Sequence, residues 1–312
     1  MVGKFVKYLV WLAVVLSLLS AASVFSAQHY LFDLIANFRI QYIVLIVPVV
    51  LVALAMRAYF SALILVLCLV FHVWTVATSI KATRDYSIEA GNSIRIMTSN
   101  LLKSNRDFLG HLDYIQTVNP DVIVFQEYTY YGDEAFYDSL DAYPHRLLIP
   151  KPHAFGIALY SKYEIAQSDV IALFNLELPA LKVDITVGDA SLRILGAHPT
   201  APISLNRYNM RSRQLTALAT DVADYSGPLV FVGDLNITPW SAHFRSFMKQ
   251  SGLYDGRRGF GVLPTWPSNI FALSIPIDHI MVNERAEVLN IETSDGLTQS
   301  DHKAVWADIR FR

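Results

Sequence analysis

The feature that most limits this chain is confined to its first 84 residues: three long apolar runs separated by isolated charges. The runs cover about residues 8–27, 40–56 and 58–80, and the only charged side chains from Met1 to Arg84 are Lys4, Lys7, Asp33, Arg39, Arg57, Lys81 and Arg84. A helix crossing about 30 Å of hydrocarbon needs roughly 20 apolar residues, because lipid offers no water to the backbone. Each run approaches that length. Trp11, Tyr42, Tyr59 and Trp74 sit towards the run ends, where interfacial aromatics settle. A buried soluble hairpin would need amphipathic helices nearby to cover it, and none is visible. Three transmembrane helices are therefore expected, the second kinked at Pro48. For the first run, Ser20-Ala21-Ala22 leaves a cleaved signal peptide as the alternative.

Charge sets the orientation of such an anchor. Lys4, Lys7 and Arg57 would lie on one side and Arg39, Lys81 and Arg84 on the other, so the count is balanced. The first helix usually dominates, which puts the N-terminus inside and the region after residue 84 outside the cytoplasm. A cleaved signal peptide leads to the same side. The expected location is thus a cell membrane, multi-pass, with residues 8–80 in the bilayer.

The rest of the chain has a different character. Of 25 Lys/Arg and 27 Asp/Glu, six basic residues and one acidic residue lie in the first 84, leaving 19 against 26 and a net charge near −7 for the remainder. That balance argues against a broad basic face for nucleic acid. Arg257-Arg258 supplies a small local basic patch. The single cysteine, Cys68, lies within an apolar run, so no disulfide framework forms within the chain.

After residue 84, short strands alternate with helices. Strands are expected at 93–99, 122–125, 155–161, 181–187, 191–197, 229–232, 277–282, 286–291 and 303–311, and helices at 106–118, 133–143, 207–225 and 242–250. Polar residues gather where these strands stop. Asn100 and Glu127 follow two of them, and His198 a third. Asp234 and Asn236 follow a fourth, Asp278-His279 sit on another, and Asp301-His302 precede the last. Taken singly, an acid or amide after a strand is most often a turn former. Turn chemistry does not produce the whole ordered set. Strand ends are rigid, so side chains there can converge, and carboxylate and amide oxygens suit a hard divalent cation.

The segments IRIMTSNL, PDVIVFQE, FGIALYSK, GAHPT, GDLNITP, IDHIMV and SDHKAV span residues 94–305. In this order they resemble the endonuclease/exonuclease/phosphatase superfamily (DNase I-like), and the preceding helices resemble a bacterial membrane-anchored subgroup. GDLN with Pro239 and the terminal SDH are the most specific pieces. The resemblance implies an α/β fold, a four-layer α/β sandwich of two packed sheets with outer helices, over residues 85–312, behind a membrane anchor over 1–84. It also implies Mg²⁺ or Mn²⁺ as cofactor and assigns roles. Glu127 would be the main metal ligand, supported by Asn100 and Asp301. Asp234 would position or deprotonate the attacking water, and Asn236 would donate to the phosphate. His302, with His198, would stabilise the transition state, and Asp278 would orient a histidine. The acidic partner that His198 has in DNase-like relatives is not identifiable. His279 stands where an aromatic is common and is expected to pack. His153, Arg211 and Arg213 are expected at the surface, with phosphate contact by one arginine as the alternative.

These readings make the chain a membrane-anchored, metal-dependent hydrolase of a phosphodiester, either nucleic acid or a phospholipid headgroup, with the lipid bilayer as its other partner. The alternative is a non-catalytic membrane receptor or scaffold that keeps the fold.

Overall fold

The computed structural model describes residues 2–82, 88, 90–173, 178–296 and 299–312. The boundary expected at 84/85 lies outside them. Four helices come first: α1 (Val2–Val24), α2 (Tyr30–Ala36), α3 (Arg39–Ala55) and α4 (Tyr59–Ile80). Among the described residues, α4 is the one helix long and apolar enough to cross a membrane by itself. Helices α2 and α3 meet the same test only as a pair bent by 64°, and in α1 the apolar stretch is Val10–Val24. Length and composition thus support one span, or two if the bent pair is one span, against the three expected. The break falls between Ala36 and Arg39 rather than at Pro48, which α3 carries within it.

These helices face their apolar residues outwards. Trp11, Leu18, Leu51, Phe60, Leu67 and Trp74 are all more than 60% exposed. Polar groups turn inwards instead: Ser20 Oγ lies 2.8 Å from His72 Nε2, and Arg39 reaches both His72 Nδ1 and Ser23 Oγ at 3.3 Å, all buried. Water would favour the reverse arrangement.

The sandwich follows. Its first part is β1 (Asn92–Asn100), α5 (Leu109–Val118), β2 (Val122–Gln126), α6 (Tyr130–Tyr137), β3 (His145–Ile149), β4 (Ile157–Ser161) and β5 (Ile165–Ala172). Then come β6 (Pro179–Val187), β7 (Ala190–Gly196), α7 (Leu205–Ala223), β8 (Leu229–Asp234) and α8 (Ala242–Ser251). The strands β9 (Tyr254–Asp255), β10 (Asp278–Val282), β11 (Ala286–Thr293) and β12 (Val305–Phe311) finish the chain. One six-stranded sheet runs β11-β12-β1-β2-β4-β3 and the other β5-β6-β7-β8-β10-β9. Strands β3, β5 and β9, all at sheet edges, were not anticipated from the sequence.

Alternation along the central strands builds the layers. Ile94, Ile96, Val122 and Val124 of one sheet pack against Leu181, Ile194, Val230 and Val232 of the other. The opposite faces take helices. Ile115 of α5 and Phe136 of α6 cover Met97, Ile123 and Phe125, while Leu218 of α7 and Phe247 of α8 cover Leu195 and Phe231.

The two sheets repeat one device. Each has a single parallel pair near its centre, β1 with β2 and β7 with β8, and all other pairings are antiparallel. Parallel neighbours end on the same side. Asn100 and Glu127 therefore emerge together from one sheet, as His198 and Asp234 do from the other.

Candidate functional site

The register adds the remaining members. Asp278 pairs directly with Asp234 across the antiparallel β8–β10 ladder, and Val305 pairs with Thr98, which brings the preceding Asp301 and His302 beside the end of β1. All eight residues singled out from the sequence converge at this one end of the sandwich.

Asp234 is the hub, and it is buried. Its Oδ1 accepts the Asn236 N–H at 2.8 Å, while Oδ2 accepts Asn100 Nδ2 at 3.0 Å and lies 3.4 Å from His198 Nε2 and 3.8 Å from His302 Nε2. Burial works against its charge, but His302, His198 and the Asn236 N–H outweigh it and bring the carboxyl down to about 2. Asp278, fully buried, sets His302: Nδ1 lies 3.0 Å from Asp278 Oδ2 and 3.3 Å from Oδ1. Burial opposes the imidazolium, yet the flanking carboxylates of Asp278 and Asp234 push His302 up to about 10. His198 also shifts upwards, burial again being outweighed by Asp234 and Glu127. No acid holds the other nitrogen of His198 among the described residues; Nδ1 faces the Ala154 carbonyl at 3.1 Å. That carbonyl fixes the ring where the sequence left its partner open.

Glu127 and Asn236 have positive φ, 54° and 52°, a conformation unusual for non-glycine residues and common at functional sites. Glu127 Oε2 accepts the Lys103 N–H at 2.7 Å, and Oε1 faces Asn100 Nδ2 at 3.5 Å. The Asn100 oxygen is taken by the Leu102 N–H at 3.0 Å, so this amide presents its nitrogen to the carboxylates. Asn236 Nδ2 donates to the Pro199 carbonyl at 3.1 Å. Asp301 Oδ2 accepts Trp266 Nε1 at 2.9 Å, whereas its Oδ1 is buried with no hydrogen-bond partner.

That orphaned oxygen fits a cation. Four carboxylates meet two imidazoles here: Asp234 and Asp278 are buried with His198 and His302, while Glu127 and Asp301 stand half-buried on the cleft as the excess negative charge that a cation would balance. One oxygen each from Asp234 and Asp278 and one nitrogen of His302 lie within 4.8 Å of one another, a grouping able to hold an ion. It differs from the set expected from sequence, Asn100, Glu127 and Asp301.

The family model for the endonuclease/exonuclease/phosphatase family matches residues 97–302, from β1 to the His302 turn. The chain belongs to this family. No curated protein matches it. Among solved structures, it is similar to D. rerio TDP2 complexed with a single-strand DNA product, with a TM-score of 0.61, 15% identity, and 70% of this chain and 99% of that one covered. Sphingomyelinase C of Streptomyces griseocarneus aligns at a TM-score of 0.52 and 16% identity over 70% and 99% of the two chains. A Bacteroides vulgatus member of the family gives 0.59 and 16% over 71% and 100%. At such identities the likeness is one of fold, and it covers the sandwich of the family.

Within this family frame, several side chains depart from the sequence reading. Arg211 is not solvated: it is fully buried, donating Nη1 to the Asn236 carbonyl at 2.8 Å and pairing through Nη2 with Asp33 of α2. Arg257 forms no surface patch. It is buried too, bonded to Asp255, to the Asp278 carbonyl at 2.7 Å and to His279 Nδ1 at 2.7 Å. His279 packs as expected, stacked on Phe244 with Nε2 on the Ile237 carbonyl at 2.8 Å. His153 is half-buried and Arg213 exposed.

The cleft over this site measures roughly 350 Å³, and its wall includes Leu34, Asn37 and Phe38 from the helical segment. Sequence reading missed these three. The signal was present in Asp33, the lone acid among the first 84 residues, since a carboxylate in so apolar a segment must find a partner.

Proposed function

We propose that this chain is a membrane-anchored, divalent-cation-dependent phosphoesterase that hydrolyses a phosphodiester by in-line attack of water. The observation that carries the reading is the convergence of Glu127, Asp234, Asp278, Asp301, His198 and His302 on one cleft. Asp234, kept ionised by His302 and His198, accepts a hydrogen bond from the water and takes its proton as that water turns acidic in bonding to phosphorus. The water oxygen forms the new bond to phosphorus as the ester oxygen leaves. His302, charged and held by Asp278, balances the negative charge that grows on phosphate oxygens or protonates the leaving oxygen. His198 assists from the other side of Asp234, and the Asn236 amide donates to phosphate. Glu127 and Asp301, with Asn100 orienting the carboxylates, would hold Mg²⁺ or Mn²⁺. Such an ion supplies Lewis-acid charge neutralisation at phosphate.

The anchor in this proposal has three spans, α1, α3 and α4, with α2 lying against the sandwich and the sandwich outside the cytoplasm. Its support is the outward-facing apolar surface and the way the helix ends meet the sandwich. Tyr208 donates to the carbonyls of Ser26 and Ala27 after α1, Gln41 at the start of α3 donates to those of Ala272 and Ser274, and the Gly259 N–H donates to Ile80 at the end of α4. The sandwich thus meets α1 and α4 at their C-terminal ends and α3 at its N-terminal end, as crossings of alternating direction would have it.

A panel of single- and double-stranded DNA, RNA, phospholipids and simple phosphodiesters, assayed with Mg²⁺ or Mn²⁺ on the full chain, tests the activity. Turnover of at least one substrate that stops on chelation is expected; turnover that survives exhaustive chelation defeats the metal assignment. A reporter fused after Arg312 and active only in the cytoplasm would reverse the orientation.

A further inference from the structure

The floor of the cleft is charged, but its wall is not. Leu34 in α2 and Phe38 within the α2–α3 break join Phe155, Ile203 and Ile275 in lining the same cavity as Asp234 and His302. The wall continues outwards. Ile203 and Leu205 are 66% and 49% exposed, and on the loop that Gln41 ties to α3, Ile270, Phe271 and Leu273 are 48%, 83% and 46% exposed. Exposed apolar side chains clustered at a cleft mouth mark a binding surface rather than ordinary surface scatter. Lys103 and Arg207, both exposed, stand on the same cavity and can meet a phosphate or an anionic headgroup.

Resting on the phosphoesterase reading above, we propose that the substrate is a membrane amphiphile. Its phosphoester lies on the carboxylate–imidazole floor, and its apolar tail lies along Leu34, Phe38 and Ile203. The position of the wall favours this occupant over a nucleic acid. Leu34 and Phe38 sit between the end of α1 and the start of α3, so the tail side of the cleft is continuous with helices whose outer faces are apolar. A tail leaving a bilayer would reach the site without crossing water. A polynucleotide would instead want a basic track along the cleft; its lining carries two basic residues, Lys103 and Arg207, while Arg211 and Arg257 are buried outside it and committed to other partners.

The test uses the full-length protein in mixed detergent micelles with Mn²⁺ and two esters sharing one leaving group, methyl and hexadecyl p-nitrophenyl phosphate. The hexadecyl ester is expected to react with a kcat/KM at least tenfold higher. Ile203→Asp, at a two-thirds exposed position that tolerates charge, and Phe38→Ala are each expected to lower the hexadecyl-to-methyl ratio fivefold or more. Comparing variants in the same micelles cancels any gain from simple co-localisation. Equal rates for the two esters, or ratios unmoved by both variants, overturn the amphiphile proposal and leave the phosphoesterase intact. Faster cleavage of single-stranded DNA than of the hexadecyl ester overturns it in favour of nucleic acid. Cleavage of no phosphoester sinks the phosphoesterase reading, and this one with it.

Discussion

The helical segment and the sandwich solve the same packing problem in opposite senses. In the sandwich, Val122, Val124, Val230 and Val232 are fully buried between the sheets, and the buried charges are gathered at the cleft and in the Arg211 and Arg257 clusters. In the helices, Leu51, Phe60 and Leu67 point outwards while Arg39, His72 and Asp33 are buried. Each arrangement suits a different surrounding medium. Where the two regions meet, polar groups of both are used up on each other. Asp33 bonds Arg211 and Ser241, and Asn37 accepts from Thr238 Oγ1 at 2.8 Å and, through its carbonyl, from Trp240 Nε1 at 3.1 Å. The joint lies directly behind Asn236, so the helices brace the cleft end of the sandwich.

The comparison breaks most sharply at its centre. If the site is a feature of the sandwich, Asp234→Asn should cut turnover by about 10²–10⁴-fold, the usual worth of a positioned acid–base group, with the fold retained. Near-normal rates on the best substrate of the panel would remove Asp234 from its role.

The next test asks whether the joint is structural. Asp33→Ala leaves the Arg211 guanidinium buried without its counter-ion, which should cost about 3–5 kcal/mol of stability, read as a lower unfolding midpoint in detergent. The double variant Asp33→Leu/Arg211→Met should recover most of that loss, because a well-packed apolar pair replaces a buried ion pair at little cost. Turnover should nonetheless be reduced in the double variant, since Arg211→Met removes the donor to the Asn236 carbonyl. Wild-type stability in Asp33→Ala would mean that the helices and sandwich merely touch.

A third prediction concerns the sandwich alone. His111 on α5 is fully buried, neither ring nitrogen has a hydrogen-bond partner, and burial pulls its pKa down to about 4. Between about 6.5 and 4 the unfolded chain holds the extra proton and the folded one does not, so stability falls as the solution is acidified through that range. By pH 5 the loss should reach roughly 2 kcal/mol, and His111→Leu should abolish this part of the acid dependence. Identical pH profiles for the two proteins would refute it. Smallest of all, Gln41→Ala removes one exposed and one part-buried hydrogen bond between α3 and the 271–274 loop and should cost about 1 kcal/mol in the same unfolding assay.

Much of the sandwich was legible because its central strands carry clean patterns. Burial of β2, β4 and β8 is complete, and their apolar runs stop where chemistry begins, at Glu127 and at Asp234. The edge strand β5 hides because its middle residues are exposed and carry no alternation. The site was legible as a set of strand-end acids and histidines, since the two parallel pairs force those ends together. The partners of Arg211 and Arg257 were not. An arginine on a helix reads as solvated unless its counter-ion is known, and Asp33 lies 178 residues away in the chain. Helix α2 escaped for a related reason: at seven residues it is too short to show a period, and its meaning resides in what Asp33 and Asn37 touch.

The Asp33–Arg211–Asn236 relay also bears on the fate of the protein after cleavage. A protease that separated the sandwich from its helices, and let them part, would take the counter-ion from Arg211 and loosen the turn that carries Asn236. Parting the two regions would then act as an off-switch.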